Sequence, residues 1–117
     1  ESALFAKMMS AENIRKEEYF VARIHAKEYS PDANGNGDII LQGAIDVLCE
    51  YADGLIVIDY KTDRASREEL INRYSKQLEY YAFAAEKCFA KPVKEIYLWS
   101  FYLSQAIKIE LNGGTEK

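Results

Sequence analysis

Two aspartates and a lysine are the side chains in this sequence whose types and spacing could do chemistry. Asp59 and Lys61 lie two apart in Ile58-Asp59-Tyr60-Lys61-Thr62-Asp63, and Asp46 ends the upstream stretch Gly43-Ala44-Ile45-Asp46. Residues two apart on a strand leave the same face, so Asp59 and Lys61 project together. Asp53-Gly54, between two apolar runs, is a strong hairpin signal, and taking it as a two-residue turn pairs Ala52 with Leu55. Counting back sets Asp46 opposite Lys61 and diagonal to Asp59, with directly opposed β-carbons roughly 5 Å apart. A three-residue turn would put Asp46 opposite Tyr60, on the wrong face. The expected result is two carboxylates and an ammonium converging on one side of a sheet.

Two aspartates that close repel, and they stay ionised together cheaply only with a cation between them. An all-oxygen donor set suits Mg²⁺, with Mn²⁺ as a substitute, because these ions keep waters and bridge to phosphates. A neighbouring lysine can hold an attacking water in line or ease loss of its proton. The chemistry to expect is phosphodiester hydrolysis. A lone Asp-x-Lys is more often a cross-strand ion pair on a wet face. Asp46 on the preceding strand, and the apolar flank Ile56, Val57 and Ile58, favour the site.

The elements that must position these groups follow from periodicity. Leu4, Phe5, Met8 and Met9 have helical spacing over residues 2–13, and strict alternation makes 17–29 a strand. Turn formers fill 30–37, and strands are expected at 38–51 and 55–61. Ser66-Arg67-Glu68-Glu69 is a capping box that opens a helix, which Lys91-Pro92 stops near Ala90. Its apolar stripe is Leu70, Tyr74, Leu78, Tyr81, Ala85 and Cys88. Gln77, three after Tyr74 and four before Tyr81, projects among that stripe, where it is either satisfied inside the core or facing a ligand. Residues 93–103 and 105–111 are two further strands, the last an edge strand. Helix, three strands, helix, two strands make an α/β (α+β) fold, a central sheet flanked by helices.

The bulk properties narrow the class. The 117 residues suit one domain, 1–117, with a flexible tail from about 112. The opening Glu1 and the polar ending suggest a piece of something larger. Net charge −4 is the wrong sign for a self-sufficient DNA binder, so either nucleic acid is not the partner or other domains supply the basic grip. No apolar run is long enough to span a membrane and no signal peptide opens the chain, which points to a cytoplasmic setting. Cys49 and Cys88 lack metal-ligand spacing and read as buried free thiols; two cysteines alone make no iron–sulfur cluster.

Gly43-Ala44-Ile45-Asp46, then Ile58-Asp59-Tyr60-Lys61, then Tyr74-x-x-Gln77-Leu78-x-x-Tyr81-Ala82 together resemble the ordered motifs of RecB-type nuclease domains in the PD-(D/E)XK superfamily. The similarity is greatest to the AddA branch of bacterial helicase–nucleases and runs from about Glu17 to Leu111. Lys16-Glu17-Glu18-Tyr19-Phe20 is similar to that family's Arg-Glu-x-Pro-Phe stretch, with Tyr19 in place of proline. The resemblance implies a restriction-endonuclease-like core with a mixed sheet, this chain being the C-terminal part of such a domain. It implies Asp46, Asp59 and the backbone carbonyl of Tyr60 as metal ligands, and Lys61 as the residue orienting the attacking water. Gln77 and Tyr81 would shape the DNA-facing edge, and Glu17 matches a family glutamate. The family's metal-binding histidine lies on a helix well upstream; His25, inside a strand, does not match it and is read as structural.

The resemblance further implies a DNA exonuclease fed by helicase domains of the same chain, with a partner helicase–nuclease subunit, in double-strand-break repair and recombination. The isolated piece would then be poorly active. The competing reading is a non-catalytic scaffold or DNA-end clamp of the same fold, and a weaker one is a free-standing interaction domain. Retention of Asp46, Asp59 and Lys61 together disfavours the scaffold.

Overall fold

The computed structural model describes residues 2–29 and 37–110, so the expected tail and all but Gly37 of the expected loop lie outside the described residues. The order is α1 (Ser2–Met9), β1 (Asn13–His25), α2 (Ala26–Tyr29), β2 (Asp38–Tyr51), β3 (Gly54–Lys61), α3 (Arg67–Phe89), β4 (Val93–Ser100) and β5 (Gln105–Ile109). The five strands form one sheet in chain order. Every neighbouring pair is antiparallel except β3 and β4, which are parallel because α3 carries the chain back between them. A mixed central sheet is what the resemblance implied.

Helix α3 starts as its sequence dictates: the Ser66 side chain accepts from the Glu69 amide while Glu69 reaches back to the Ser66 amide. It ends at Ala90, in the left-handed conformation, whose amide donates to the Glu86 carbonyl at 2.9 Å. Its buried Leu70, Leu78, Ala82 and Ala85 pack on one face of the sheet against Phe20, Leu41, Ile45, Leu48, Leu55, Val57 and Leu98. On the opposite face Leu4 and Met8 of α1 cover Val47, Cys49, Ile56, Ile58 and Tyr97. β3 is therefore buried on both sides from Gly54 to Asp59. Beyond α1 that second face is open, and Tyr19, Val21 and Ile40 are exposed.

The hairpin register differs from the sequence expectation. Tyr51 pairs with Gly54, so the turn is Ala52-Asp53 and not Asp53-Gly54. Continuing the ladder past its last pair, Val47 with Ile58, brings Asp46 opposite Asp59 and leaves Lys61 one step beyond. Gly54 is needed for another reason than turning. A Cβ there would lie 2.5 Å from Lys94 Cγ and 2.8 Å from the Pro92 carbonyl oxygen, where the start of β4 presses on β3. The error is two residues, one full pleat, so the side chains paired between β2 and β3 keep their expected faces.

Other boundaries moved where tertiary contact outweighs local pattern. α1 stops at Met9, and Ser10 Oγ donates back to the Lys7 carbonyl. β1 begins four residues early because the polar segment from Asn13 to Lys16 pairs with Glu50 to Val47. It ends at His25, and α2 takes the residues expected to continue it. β4 ends at Ser100, where the side-chain hydroxyl accepts the Leu103 amide and closes a turn. Cys49 is buried as expected, but Cys88 is exposed, its Sγ 3.8 Å from the Val21 carbonyl oxygen of the edge strand β1. Among the described residues, no helix is long and apolar enough to cross a membrane.

Candidate active site

The alternation of faces along β2 inverts in the middle of the strand. Leu41 and Ile45 face α3, and so does Leu48, whereas Val47 and Cys49 face α1. The inversion therefore falls at Asp46. β1 inverts at the matching position: Lys16 pairs with Val47 and Glu18 with Ile45, with Glu17 between them at φ 53°. A left-handed backbone is strained for a glutamate, costing on the order of 1–3 kcal/mol. The sheet accommodates the strain by turning both strands over at one point, where the β2–β3 ladder also stops.

Asp46 lies in that opening. Its carboxylate accepts the Tyr60 amide at 2.8 Å, a side chain standing in for the ladder bond that β2 no longer supplies. Asp59 follows on the α3 face and is buried, 5% exposed. Burial is the main cause of its raised pKa, and Asp46 adds to it while Lys61 opposes, leaving the carboxyl at about 6. Asp59 Oδ2 lies 2.9 Å from Lys61 Nζ, yet no hydrogen bond reaches that oxygen. The pair is in ionic contact without a directed bond, and one buried carboxylate oxygen is left with acceptor capacity to spare.

Lys61 is held on three sides: by Asp59, by Gln77 Oε1 at 3.1 Å, and by the face of Tyr74, 4.1 Å from Nζ to the ring centroid. Burial lowers its pKa, but the Asp59 carboxylate 2.9 Å away outweighs burial and the net shift is upward. The ammonium keeps its proton. It can donate and attract, but it cannot serve as a resting base.

The structure thus gathers Asp46, Asp59, Lys61 and Gln77. Gln77 is exposed on α3 and turns to the lysine, whereas the sequence suggested a place among the apolar stripe residues. Tyr81 stands beside the site, its ring edge-on to Phe20 at 5.4 Å between centroids, with burial first and then Asp59 raising its phenol pKa. The described bond of Tyr60 to the site is through its amide. Glu17 is exposed and counts opposite Asp46, while His25 ends β1 with Nδ1 accepting the Lys27 amide, away from the cluster. Sequence reasoning missed Asp63 and gave Tyr74 only a packing role. The Tyr74 hydroxyl donates to Asp63 Oδ2 at 2.8 Å and Arg73 donates to the same oxygen at 2.7 Å, which holds the ring under Lys61. The i, i+3 spacing of Tyr74 and Gln77 was the available signal.

The donor set fits a hard divalent cation in part. Two carboxylates stand together, one with an unsatisfied buried oxygen. Among the described residues, however, no group of three His, Cys, Asp or Glu side chains gathers to complete a site.

The family model of the PD-(D/E)XK nuclease superfamily matches residues 1–112. One subunit of the ATP-dependent helicase/nuclease of Clostridium novyi is 34% identical over 111 residues, covering 89% of this chain and 9% of that protein. Its counterpart in Clostridium botulinum strain Okra is 38% identical over 109 residues, 89% of this chain and 8% of the relative. That of Lachnoclostridium phytofermentans is 36% identical over 99 residues, 82% and 7%. The chain spans less than a tenth of the length of these relatives. The crystal structure of SSO0001 superposes with a TM-score of 0.57 at 16% identity, over 94% of this chain and 48% of that one, which is a likeness of fold.

Proposed function

Since the chain belongs to the PD-(D/E)XK nuclease superfamily, we propose that it is the catalytic portion of a Mg²⁺-dependent DNA exonuclease domain within an ATP-dependent helicase–nuclease. The observation that carries the reading is the buried Asp59 beside Asp46, with one carboxylate oxygen lacking a hydrogen bond and Lys61 2.9 Å away. Asp46, Asp59 and the Tyr60 carbonyl would hold the ion, with the remaining donors coming from other parts of a longer protein. Bound there, Mg²⁺ would supply Lewis-acid activation of the scissile phosphate and of the attacking water. The chain's own residues do the rest. Lys61, kept charged by Asp59, orients the water and meets the charge growing on the phosphoryl oxygens. Gln77 and the Tyr74 ring fix the lysine's direction, and Asp46 fixes the end of β3 through the Tyr60 amide.

Helicase domains in the same polypeptide, together with a partner protein of the same machine, would deliver the DNA strand. That division of labour accounts for a nuclease portion with net charge −4. Break repair and recombination are the setting such a machine suits.

Titration of the protein with Mn²⁺ in a calorimeter tests the reading. Weak, saturable heat that vanishes in Asp59→Ala is expected, with little or no cleavage by these 117 residues alone. Absence of heat from the unaltered protein overturns the metal assignment, and robust cleavage by this chain overturns its incompleteness.

A further inference from the structure

Lys61 carries its ammonium on a flexible stem, so the direction of the charge is set by what surrounds it. Asp59 draws it from the sheet side and Gln77 accepts from it on the helix side. The third wall is the Tyr74 ring, 4.1 Å from Nζ to the centroid. A phenol ring is aimed by its packing and by the bond its hydroxyl makes. Here the hydroxyl donates to Asp63 Oδ2 at 2.8 Å, and Arg73 Nη1 donates to the same oxygen at 2.7 Å. Asp63 stands two residues beyond Lys61, in the connection from β3 to α3. The contacts therefore close a circuit. It runs from Lys61 along the backbone to Asp63, through the hydroxyl to Tyr74, and from the ring face back to the ammonium. The strand end that carries the lysine also carries the anchor of the ring beneath it.

We propose that Asp63 is a positioning residue for the cleavage step, aiming Lys61 through the Tyr74 ring without touching substrate itself. The assignment rests on the nuclease reading and adds to it a carboxylate outside the proposed metal ligands. Folding by itself gives the bond no evident purpose: Tyr74 packs its ring on the core, and α3 is opened by its own capping box. An aspartate this near Lys61 is also a rival of Asp59, and left free it would draw the ammonium away from the sheet. Two donors on one oxygen remove that rivalry. They hold the Asp63 carboxyl below its ordinary pKa, Tyr74 first and Arg73 second. The same carboxylate is thus turned from a competitor for the lysine into the support of the surface that the lysine rests on.

In the metal-free chain of 117 residues, carbon–proton NMR of lysine-labelled protein reads the Lys61 ε-methylene, identified by its loss in Lys61→Ala. The Tyr74 ring should shift that signal upfield. Asp63→Ala is expected to return it toward the position of a solvent-exposed lysine, and Asp63→Asn, which keeps an acceptor for the hydroxyl, to leave it shifted. A signal that stays in place in Asp63→Ala overturns the proposal. In a longer nuclease that contains this domain, Asp63→Ala and Tyr74→Phe should each lower kcat roughly three- to ten-fold at unchanged KM. Both changes leave the ring in the core, so neither threatens folding. Because one residue acts through the other, the double variant should be no slower than the slower single variant. Losses that multiply overturn the route through Tyr74. A signal that moves as expected while cleavage survives Lys61→Ala overturns the nuclease role of the lysine, not its contact with the ring.

Discussion

The Tyr60 amide donates to the Asp46 carboxylate across 2.8 Å, so the side chain of one strand finishes the backbone ladder of the next. The residue proposed to bind a cation also holds the strand that carries Asp59 and Lys61. Removing it should have two separable effects. Asp46→Ala is expected to abolish Mn²⁺ heat and to speed hydrogen exchange at the Tyr60 amide. Asp46→Asn, which keeps an acceptor for that amide, should lose the heat and retain the protection. Equal exchange rates in both variants would show that the bond does not order β3.

Asp59 is expected to titrate near pH 6 in protein stripped of metal, well above an ordinary carboxylate. Carboxyl carbon NMR on the metal-free protein reads this directly, and Asp46→Asn should lower the value because Asp46 contributes to the shift. The sign for stability follows. A folded pKa above the unfolded one means that the neutral form is favoured in the fold, so stability is lost as pH rises from about 4 through about 6. Asp59→Asn should therefore raise the melting temperature of the metal-free protein at pH 7.5, by an amount corresponding to roughly 1–3 kcal/mol. A lower melting temperature would show that the ion pair with Lys61 outweighs the cost of burial.

Lys61→Ala, made in a longer nuclease that contains this domain, should cut turnover by on the order of 100-fold or more while KM changes little. Gln77→Ala should produce a smaller fall through misdirection of the lysine, and Gln77→Glu should leave Lys61 a partner. Cleavage that survives Lys61→Ala would remove the role given to it.

Gly54→Ala should destabilise the protein by about 1–3 kcal/mol, because the new methyl meets the Pro92 carbonyl at 2.8 Å and Lys94 Cγ at 2.5 Å. Chemical denaturation measures it. An unchanged midpoint would mean that β3 and β4 can part at no cost.

Helix α1 is fastened to β4 by Lys7 Nζ, which donates to Glu95 Oε1 at 2.9 Å and to the Tyr97 hydroxyl at 2.8 Å. Burial alone would raise the Glu95 pKa, but Lys7 and Tyr97 outweigh it and hold the carboxyl below its usual value. A lowered folded pKa gives stability that is present above pH 4.5 and lost as pH falls through the folded value. Acidification below pH 4.5 should thus loosen α1 before the sheet, seen as early loss of amide protection in residues 4–9. Glu95→Gln should remove that step.

Strand periodicity alone put Asp46, Asp59 and Lys61 on one face, because the alternation of side chains is a local property that survives a register error of one pleat. The capping box at Ser66 and the stop at Ala90 were equally local, each set by hydrogen bonds a few residues long. The pairing partner of Asp46 was not legible. Which two residues turn depends on where Gly54 must pack against Pro92, far along the chain. Nor could alternation foretell its own reversal at Glu17 and Asp46, which needs two strands to turn over together and shows only in the left-handed φ of one residue. The early start of β1 and the escape of Cys88 to the surface have the same origin. Pattern in the chain settles which face a residue takes, through dihedral geometry that neighbours share. What stands opposite it, how deeply it is buried, and hence its charge state, are decided only when distant segments close over it.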